Sequence, residues 1–425
     1  ANTTGANNTA VGRDALTANT TADSNVAVGK DALKANTTGA ENVAVGHEAL
    51  LANTTAAQSV AIGKSALKAN TTGANNIAIG YLALTTNITG ADNVAIGRNA
   101  SELYVGSQST AVGKEALYAA TTSASNTAIG YQAGKATTTG AGLNVFAGNS
   151  AGKSNTTGYH NTFTGASAGS ANTTGYQNTA IGNLSLYSNI TAISNTAVGY
   201  KSLYTLNDAS GSDDAFGNTA IGWQSGQDLT TGNSNTMGGY SACQQITTGT
   251  GNVVFGRDAG SYRVNLTTGG NNVLIGAYAH TAAADTAYAI AIGYDIGVAA
   301  NDFGFGKLNN IVLNDFDADA DWSRSSDVRL KENIESTEVG LDFINLLRPV
   351  KFTFKDNSTV PEIMASEYNA VNNKNTTYVS HGFIAQEVKA ALDSKGDSSF
   401  GVWHLDRTDN ETQRIKKNML IMPLV

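Results

Sequence analysis

Ser326 and Lys331 stand five residues apart in a chain of 425 and are the pair most able to do covalent chemistry. A serine hydroxyl is a poor nucleophile near neutral pH and needs an adjacent base. Lysine serves as that base in Ser–Lys pairs, provided an apolar site lowers its pKa enough to free the amine. Leu330 and Ile334 could supply such a site. Spacing alone assigns the pair no role, because a surface Ser and Lys at this distance are commonplace. The other candidates are weaker. Asp315, Asp317, Asp319 and Asp321 alternate like the start of a calcium loop. Ala320 and Ser326 stand where an EF-hand needs Gly and Glu, so a solvated acidic linker is expected instead. The five histidines are scattered singly, so no metal site is expected; His381 and His404 could assist chemistry in the last hundred residues. Cys243 is the single cysteine, which excludes an intramolecular disulfide and predicts a small core or surface thiol. Trp223, Tyr200, Tyr204 and Tyr240 could stack on sugars but read more simply as corner residues of a repeat. Asp208, Asp213 and Asp214 are the one acidic cluster before the linker, too little for a glycosidase, which needs paired acids across a groove. No cofactor is expected.

These residues are positioned by two unlike stretches of chain. Residues 1–325 hold 42 of the 46 glycines and only 34 charged residues, and all 3 prolines fall after residue 348. Residues 326–425 carry 26 charged residues, the ordinary globular share of about a quarter. The net charge of −8 argues against nucleic-acid binding, which needs a basic face. No run of about 18 apolar residues exists, so no helical membrane insertion is expected. The N-terminus lacks the charged and apolar regions of a signal peptide and begins mid-pattern, which reads as an excised fragment.

The pattern is a repeat. Short strands ending in glycine recur as Val26-Ala-Val-Gly29, Val43-Ala-Val-Gly46 and Val60-Ala-Ile-Gly63. From Gly12 to Gly97 the anchor glycines are spaced by 17 residues, and the series runs on to Gly293 with two longer gaps of 23 and 20. Ala-Leu follows each early anchor (Ala32-Leu33, Ala49-Leu50), then Asn-Thr-Thr (Asn36, Asn53, Asn70). Seventeen residues cannot close a core alone but can form one coil of a β-solenoid. Glycine suits the corners, and Asn and Thr suit turns and inter-coil ladders. Proline is missing because each coil must donate backbone N–H groups to the next. At about 4.8 Å per coil, some seventeen coils would span about 80 Å.

Alternation within each strand offers two phases. With Val26 and Val28 turned inward, Ala27 faces out, and Ala10, Ala27, Ala44, Ala61, Ala78 and Ala95 form an external stripe. A continuous apolar stripe is rarely left bare. The same stripe on identical chains is its simplest partner.

The Asn-x-Ala-Ile/Val-Gly coils resemble the head repeats of trimeric autotransporter adhesins, and still more the Asn126-Thr-Ala-Ile-Gly-Tyr131 arrays of tail-fibre-domain proteins. Three later motifs, Ser326-Asp-Val-Arg-Leu-Lys331-Glu-Asn-Ile334, Leu347-Arg-Pro-Val-Lys-Phe352 and His381-Gly-Phe-Ile-Ala-Gln-Glu-Val388, closely resemble the intramolecular chaperone domain of tail spikes and endosialidases. The resemblance implies an all-β solenoid over 1–306, an acidic linker over 307–325 and an α+β chaperone domain over 326–425. It implies a homotrimer, an upstream virion-attachment or surface-anchoring domain, and a host cell-surface glycan or protein receptor. It also implies single-turnover autocleavage between Ser325 and Ser326, with Ser326 as nucleophile and Lys331 as base. A virion tail fibre is the leading expectation; a bacterial surface adhesin or extracellular filament is the alternative. Within the last hundred residues, the pattern predicts a helix with apolar face Val339, Phe343, Leu346 and Leu347, capped by Ser336 or Thr337 and ended by Pro349. Strands are expected over 350–354 and 376–384, a helix over 386–392, and the start of another at the C-terminus.

Overall fold

A computed structural model describes residues 2–140, 142–207, 215–308, 310–316, 339–353, 379–396, 402–405 and 413–415. It is a parallel β-solenoid of about seventeen turns with few helices. The chain divides into two compact units, Ala1–Ala287 and Tyr288–Val425.

In the first unit each coil contributes a three-residue strand, such as Val26–Val28, that pairs in parallel with the strand one coil later. The register is set by the repeat: Val26 lies against Val43, Ala27 against Ala44 and Val28 against Val45. The phase of the alternation is the opposite of the one expected. Ala27, Ala44, Ala61, Ala78 and Ala95 are fully buried, and the flanking Val and Ile side chains are half-buried or exposed on the outside. The reason is space. Ala32 and Leu33 of the same coil, with two buried asparagines, already fill the interior, so the strand can add no more than a methyl group there.

Where the inner residue grows, another shrinks. Phe146 and Phe163 replace the inner alanine, and Gly134, Gly152 and Gly169 stand where other coils carry leucine. A Cβ on Gly152 would overlap the Phe146 ring, and one on Gly169 the Phe163 ring. Met237 faces Gly226 in the same way. The interior conserves volume rather than residue type.

The corners explain the glycine anchors. Gly29 has φ of 136°, and a Cβ there would sit 2.6 Å from the Gly46 carbonyl oxygen. The backbones of adjacent coils touch at this column, so no side chain fits. The coil also places leucine in the left-handed region, with Leu33 at φ 49° and Leu50 at 50°. That conformation costs about 1–2 kcal/mol per residue. The Leu33 N–H donates to the Ala49 carbonyl of the next coil at 3.1 Å, one of the inter-coil bonds that offset it.

Two asparagine ladders run through the interior. Asn36 Nδ2 donates to Asn19 Oδ1 at 3.1 Å, and Asn53 Nδ2 to Asn36 Oδ1 at 2.8 Å. Asn36 and Asn53 also donate to carbonyls of their own turns, Gly39 and Ala56. In the second ladder the Asn42 N–H donates to Asn25 Oδ1 at 2.9 Å, and Asn42 Nδ2 reaches the Ala56 carbonyl. Thr37 Oγ1 adds a bond to the Thr54 carbonyl.

In the second unit Ile290–Tyr294 pairs in parallel with the strand Asp302–Lys307, which folds back on Asn310–Asp315 as an antiparallel hairpin. Asp315 therefore ends a strand, opposite Asp302. Asp317, Asp319, Asp321, Ala320 and Trp322 lie outside the described residues. A small helical core follows. Helix α1 (Leu341–Ile344) and helix α2 (Ala385–Lys395) bury Val339, Phe343, Val388, Ala391 and Leu392 together with Val402. Leu346, expected on the apolar face of α1, is exposed because the helix ends at Asn345. Gly340 occupies the N-cap position, and Ser336 and Thr337 lie outside the described residues. Strand Val350–Phe352 pairs with Ser380–Gly382, and Trp403–Leu405 with Gln413–Ile415. The expected C-terminal helix lies outside the described residues.

Candidate functional site

Two features carry the functional argument: the motif cluster in the small domain and the outer surface of the solenoid. In the small domain the structure joins two of the three motifs. Lys351 lies opposite His381 and Val350 opposite Gly382 across the antiparallel pair. Arg348 forms a two-point ion pair with Glu387 of α2, with Nε at 3.2 Å from Oε2 and an NH2 contact to Oε1. The guanidinium holds the Glu387 carboxyl below its ordinary pKa, chiefly through that hydrogen bond. Pro349, Val350, Lys351, His381, Gly382 and Phe383 line a shallow open depression beside this pair. His381 is exposed at its rim. His404 lies on a strand opposite Arg414. The third motif, with Ser325, Ser326 and Lys331, lies outside the described residues, so the structure neither joins the dyad to this depression nor separates it. Asp208, Asp213 and Asp214 lie outside them as well.

On the solenoid, the outward phase of the strands creates a stripe that the sequence pattern had assigned to alanine. Its members in successive coils include Val11, Val28, Val45, Ile62, Ile79 and Ile96, tied in register by the strand pairing. Val11 is 58% exposed and Ile129, further along, 48%. The stripe changes character at Ala147 and Thr164 and again at Gly238, where the Phe255 ring lies beside the glycine. The surface ahead of each strand is polar, and the residue after the corner glycine is charged or aromatic in most coils, with Asn149, Ala166, Asn183 and Ala277 as exceptions.

The aromatic residues stack along the coils. Trp223 and Tyr240 lie 4.6 Å apart and 6° from parallel, and Tyr200 stacks on the other side of Trp223 at 6.0 Å. Tyr204 pairs with Tyr187 at 5.2 Å. Ring stacking covers both faces of Trp223 and one face each of Tyr200, Tyr240 and Tyr204, which fits a structural corner role. Cys243 occupies an inner leucine position and is fully buried; burial pushes its thiol up to about 12. It is a core residue, not a nucleophile. No cluster of potential metal ligands occurs among the described residues. No described helix is long and apolar enough to cross a membrane.

Comparison with known families agrees with the motif geometry. Residues 326–397 match the family described as chaperone of endosialidase. No curated protein matched the chain in sequence. The C-terminal region thus carries an endosialidase-type chaperone domain behind a β-solenoid, the arrangement of a fibre- or spike-like protein.

Proposed function

We propose that the chain is the shaft of a homotrimeric virion tail fibre or tail spike that contacts the host surface, assembled and then released by its own C-terminal domain. The observation that carries this reading is the conjunction of a half-buried to exposed Val/Ile stripe along the solenoid with a chaperone-family match after it in the chain. An apolar stripe of this length is rarely left in water. Identical chains around one axis cover it symmetrically. The face after the corner glycines cannot take that place, because it would bring like-charged lysines and arginines together near the axis.

Release follows the chemistry of the Ser–Lys pair. Lys331, neutral in an apolar setting, takes the Ser326 hydroxyl proton. Ser326 Oγ attacks the Ser325 carbonyl carbon, the Ser325–Ser326 C–N bond breaks, and Lys331 passes the proton it took to the departing Ser326 amine, leaving an ester between the Ser325 carbonyl and Ser326 Oγ. Water then hydrolyses the ester formed. Backbone N–H groups would hold the oxyanion. Cleavage makes assembly irreversible, so the shaft is trapped kinetically.

Denaturing electrophoresis with N-terminal sequencing tests the release step on freshly made protein beside Ser326→Ala. The parent should yield a fragment beginning at Ser326, and the variant should stay whole. A parent that remains whole, or a variant that is still cut at that bond, overturns it. Mass measurement of the parent tests the trimer, and a stable monomer refutes it.

A further inference from the structure

The first nine coils sort their charges by position. Residues 1–160 contain nine lysines and arginines, and every one lies in two columns of the coil. Arg13, Lys30, Lys64, Arg98 and Lys114 directly follow a corner glycine; Lys34, Lys68, Lys135 and Lys153 stand four residues further on. Backbone bonds from each coil to the next hold these columns in line, as from Glu48 N–H to the Lys30 carbonyl at 3.0 Å and from Glu115 N–H to the Arg98 carbonyl at 2.9 Å.

Five carboxylates share this face: Asp14, Asp31, Glu48, Glu102 and Glu115. Three of them, Asp31, Glu48 and Glu115, turn toward the second column, and Glu102 accepts from Asn99. Asp31 is 3.0 Å from Lys34 but 3.5 Å from Lys30, and Glu115 is 2.7 Å from Lys135 but 3.5 Å from Lys114. Glu48 pairs with Lys68 at 2.9 Å. Lys64 and Arg98 have no carboxylate partner among the described residues. Both instead flank the ring of Tyr81 at 5.9 Å, and Lys114 lies over Tyr131 at 5.4 Å. Lys64, Tyr81, Arg98, Lys114 and Tyr131 are all exposed. The other three carboxylates of residues 1–160, Asp23, Glu41 and Asp92, sit in the turns ahead of the strands. Residues 161–325, by contrast, carry 12 carboxylates and 5 cations. The cationic track is therefore confined to one face of one half of the solenoid.

We propose that this track binds a linear acidic polysaccharide laid along the solenoid axis, an inference that rests on the host-surface role proposed above and gives that surface a chemistry. The coils repeat at about 4.8 Å, a spacing comparable to one sugar ring. From Lys64 to Lys114 three of four successive coils present a cation directly after the corner glycine, so a polymer with one carboxylate per ring meets one at most steps, and the exposed tyrosines Tyr81 and Tyr131 lie in the same column. Cation–π contacts keep the cations aligned without neutralising them. Duplex DNA, with one charge per about 1.7 Å on two strands, matches a single row of cations poorly.

The test uses the full chain with polygalacturonate, neutral dextran and duplex DNA as probes in affinity electrophoresis at several salt concentrations. Polygalacturonate should retard the parent, and dextran should not. The triple variant Lys64→Glu, Arg98→Glu, Lys114→Glu should lose at least about tenfold in affinity and lower the salt slope by about 2. A triple of equal charge change elsewhere, Lys201→Glu, Arg257→Glu, Arg263→Glu, should bind as the parent does. A neutral triple (Lys64→Gln, Arg98→Gln, Lys114→Gln) replaces the first if that one does not fold. Indifference of the parent to polygalacturonate, equal loss in both triples, or DNA binding as tight as polygalacturonate binding overturns the proposal. Native mass of the same samples reports separately on the trimer, so failure of the track and failure of the fibre reading are distinct results.

Discussion

Single residues in this chain are constrained by a narrow interior, and the constraint shows where side chains trade volume. Phe146 fills space that Leu33 or Leu50 fills in other coils, and Gly134 and Gly152 make room for its ring. Truncation of Phe146 to alanine leaves glycines, not leucines, around the void, so little can collapse into it. We expect Phe146→Ala to cost about 3–5 kcal/mol. Because each coil contacts its neighbours, the loss should fall on local opening rather than on the whole solenoid. Hydrogen exchange should therefore quicken across residues 128–165 and stay near parental values in the first coils; a uniform change along the chain would refute this. Cys243 gives a second reading of the same interior. Its buried thiol, held up near 12, should resist thiol reagents in folded protein and take up one equivalent after denaturation. Rapid labelling of native protein would show that the coil opens there.

At the scale of the coil, the sequence made the repeat, its 17-residue period, the glycine corners and the asparagine ladders readable. It did not make the phase readable. A period of two says that alternate residues face opposite ways but not which set faces in, and the bulkier set is the natural first choice. The interior of a 17-residue coil reverses that choice, because Leu33 and the asparagine ladders leave room only for a methyl group. In the small domain the strand pair Val350–Phe352 with Ser380–Gly382 and helix α2 were legible, and the pair Trp403–Leu405 with Gln413–Ile415 was not. The Arg348–Glu387 pair was not, since 39 residues separate its members. Ion pairs between coils are equally hidden, and they carry a pH signature. Hydrogen bonds from Lys135 and Gln132 hold Glu115 down at about 2, below its ordinary value of 4.5. A depressed carboxylate contributes stability that is fully present above the unfolded pKa and lost as pH falls through the folded one. The parent should exceed Glu115→Gln in thermal stability above about pH 5, by less than about 1 kcal/mol for a pair this close to water. The difference should shrink as pH falls toward 2. A gap that persists unchanged in acid would refute the assignment.

For the molecule as a whole, the repeat that builds a solenoid cheaply also makes its assembly ambiguous. Along the first eight coils the outer stripe offers Val or Ile at every step, from Val11 to Ile129. Sliding one chain past an identical one by a single coil replaces Val28 with Val45, or Ile79 with Ile96, and changes the contact by little. The internal marks do not help, because Phe146 and Phe163 are buried within their own chain. Along the stripe, the outer breaks at Ala147, Thr164, Gly238 and Phe255 distinguish one register from another. A domain that associates first at one end would fix the register before the stripes meet. That supplies a physical reason for the chaperone-family match to lie directly after the solenoid. Two changes separate this account from simple stickiness. Glutamate at Ile62 and Ile96 should break association outright, since each charge would be buried against its symmetry copies; the product should be a folded monomer by native mass. Removal of the chain beyond residue 316 should leave the stripe intact and its alignment unguided. The shortened protein should then associate into a spread of lengths and masses, whereas the full chain gives one species. A single well-defined oligomer from the shortened chain would mean that the outer breaks suffice, and that the C-terminal domain does something other than set register.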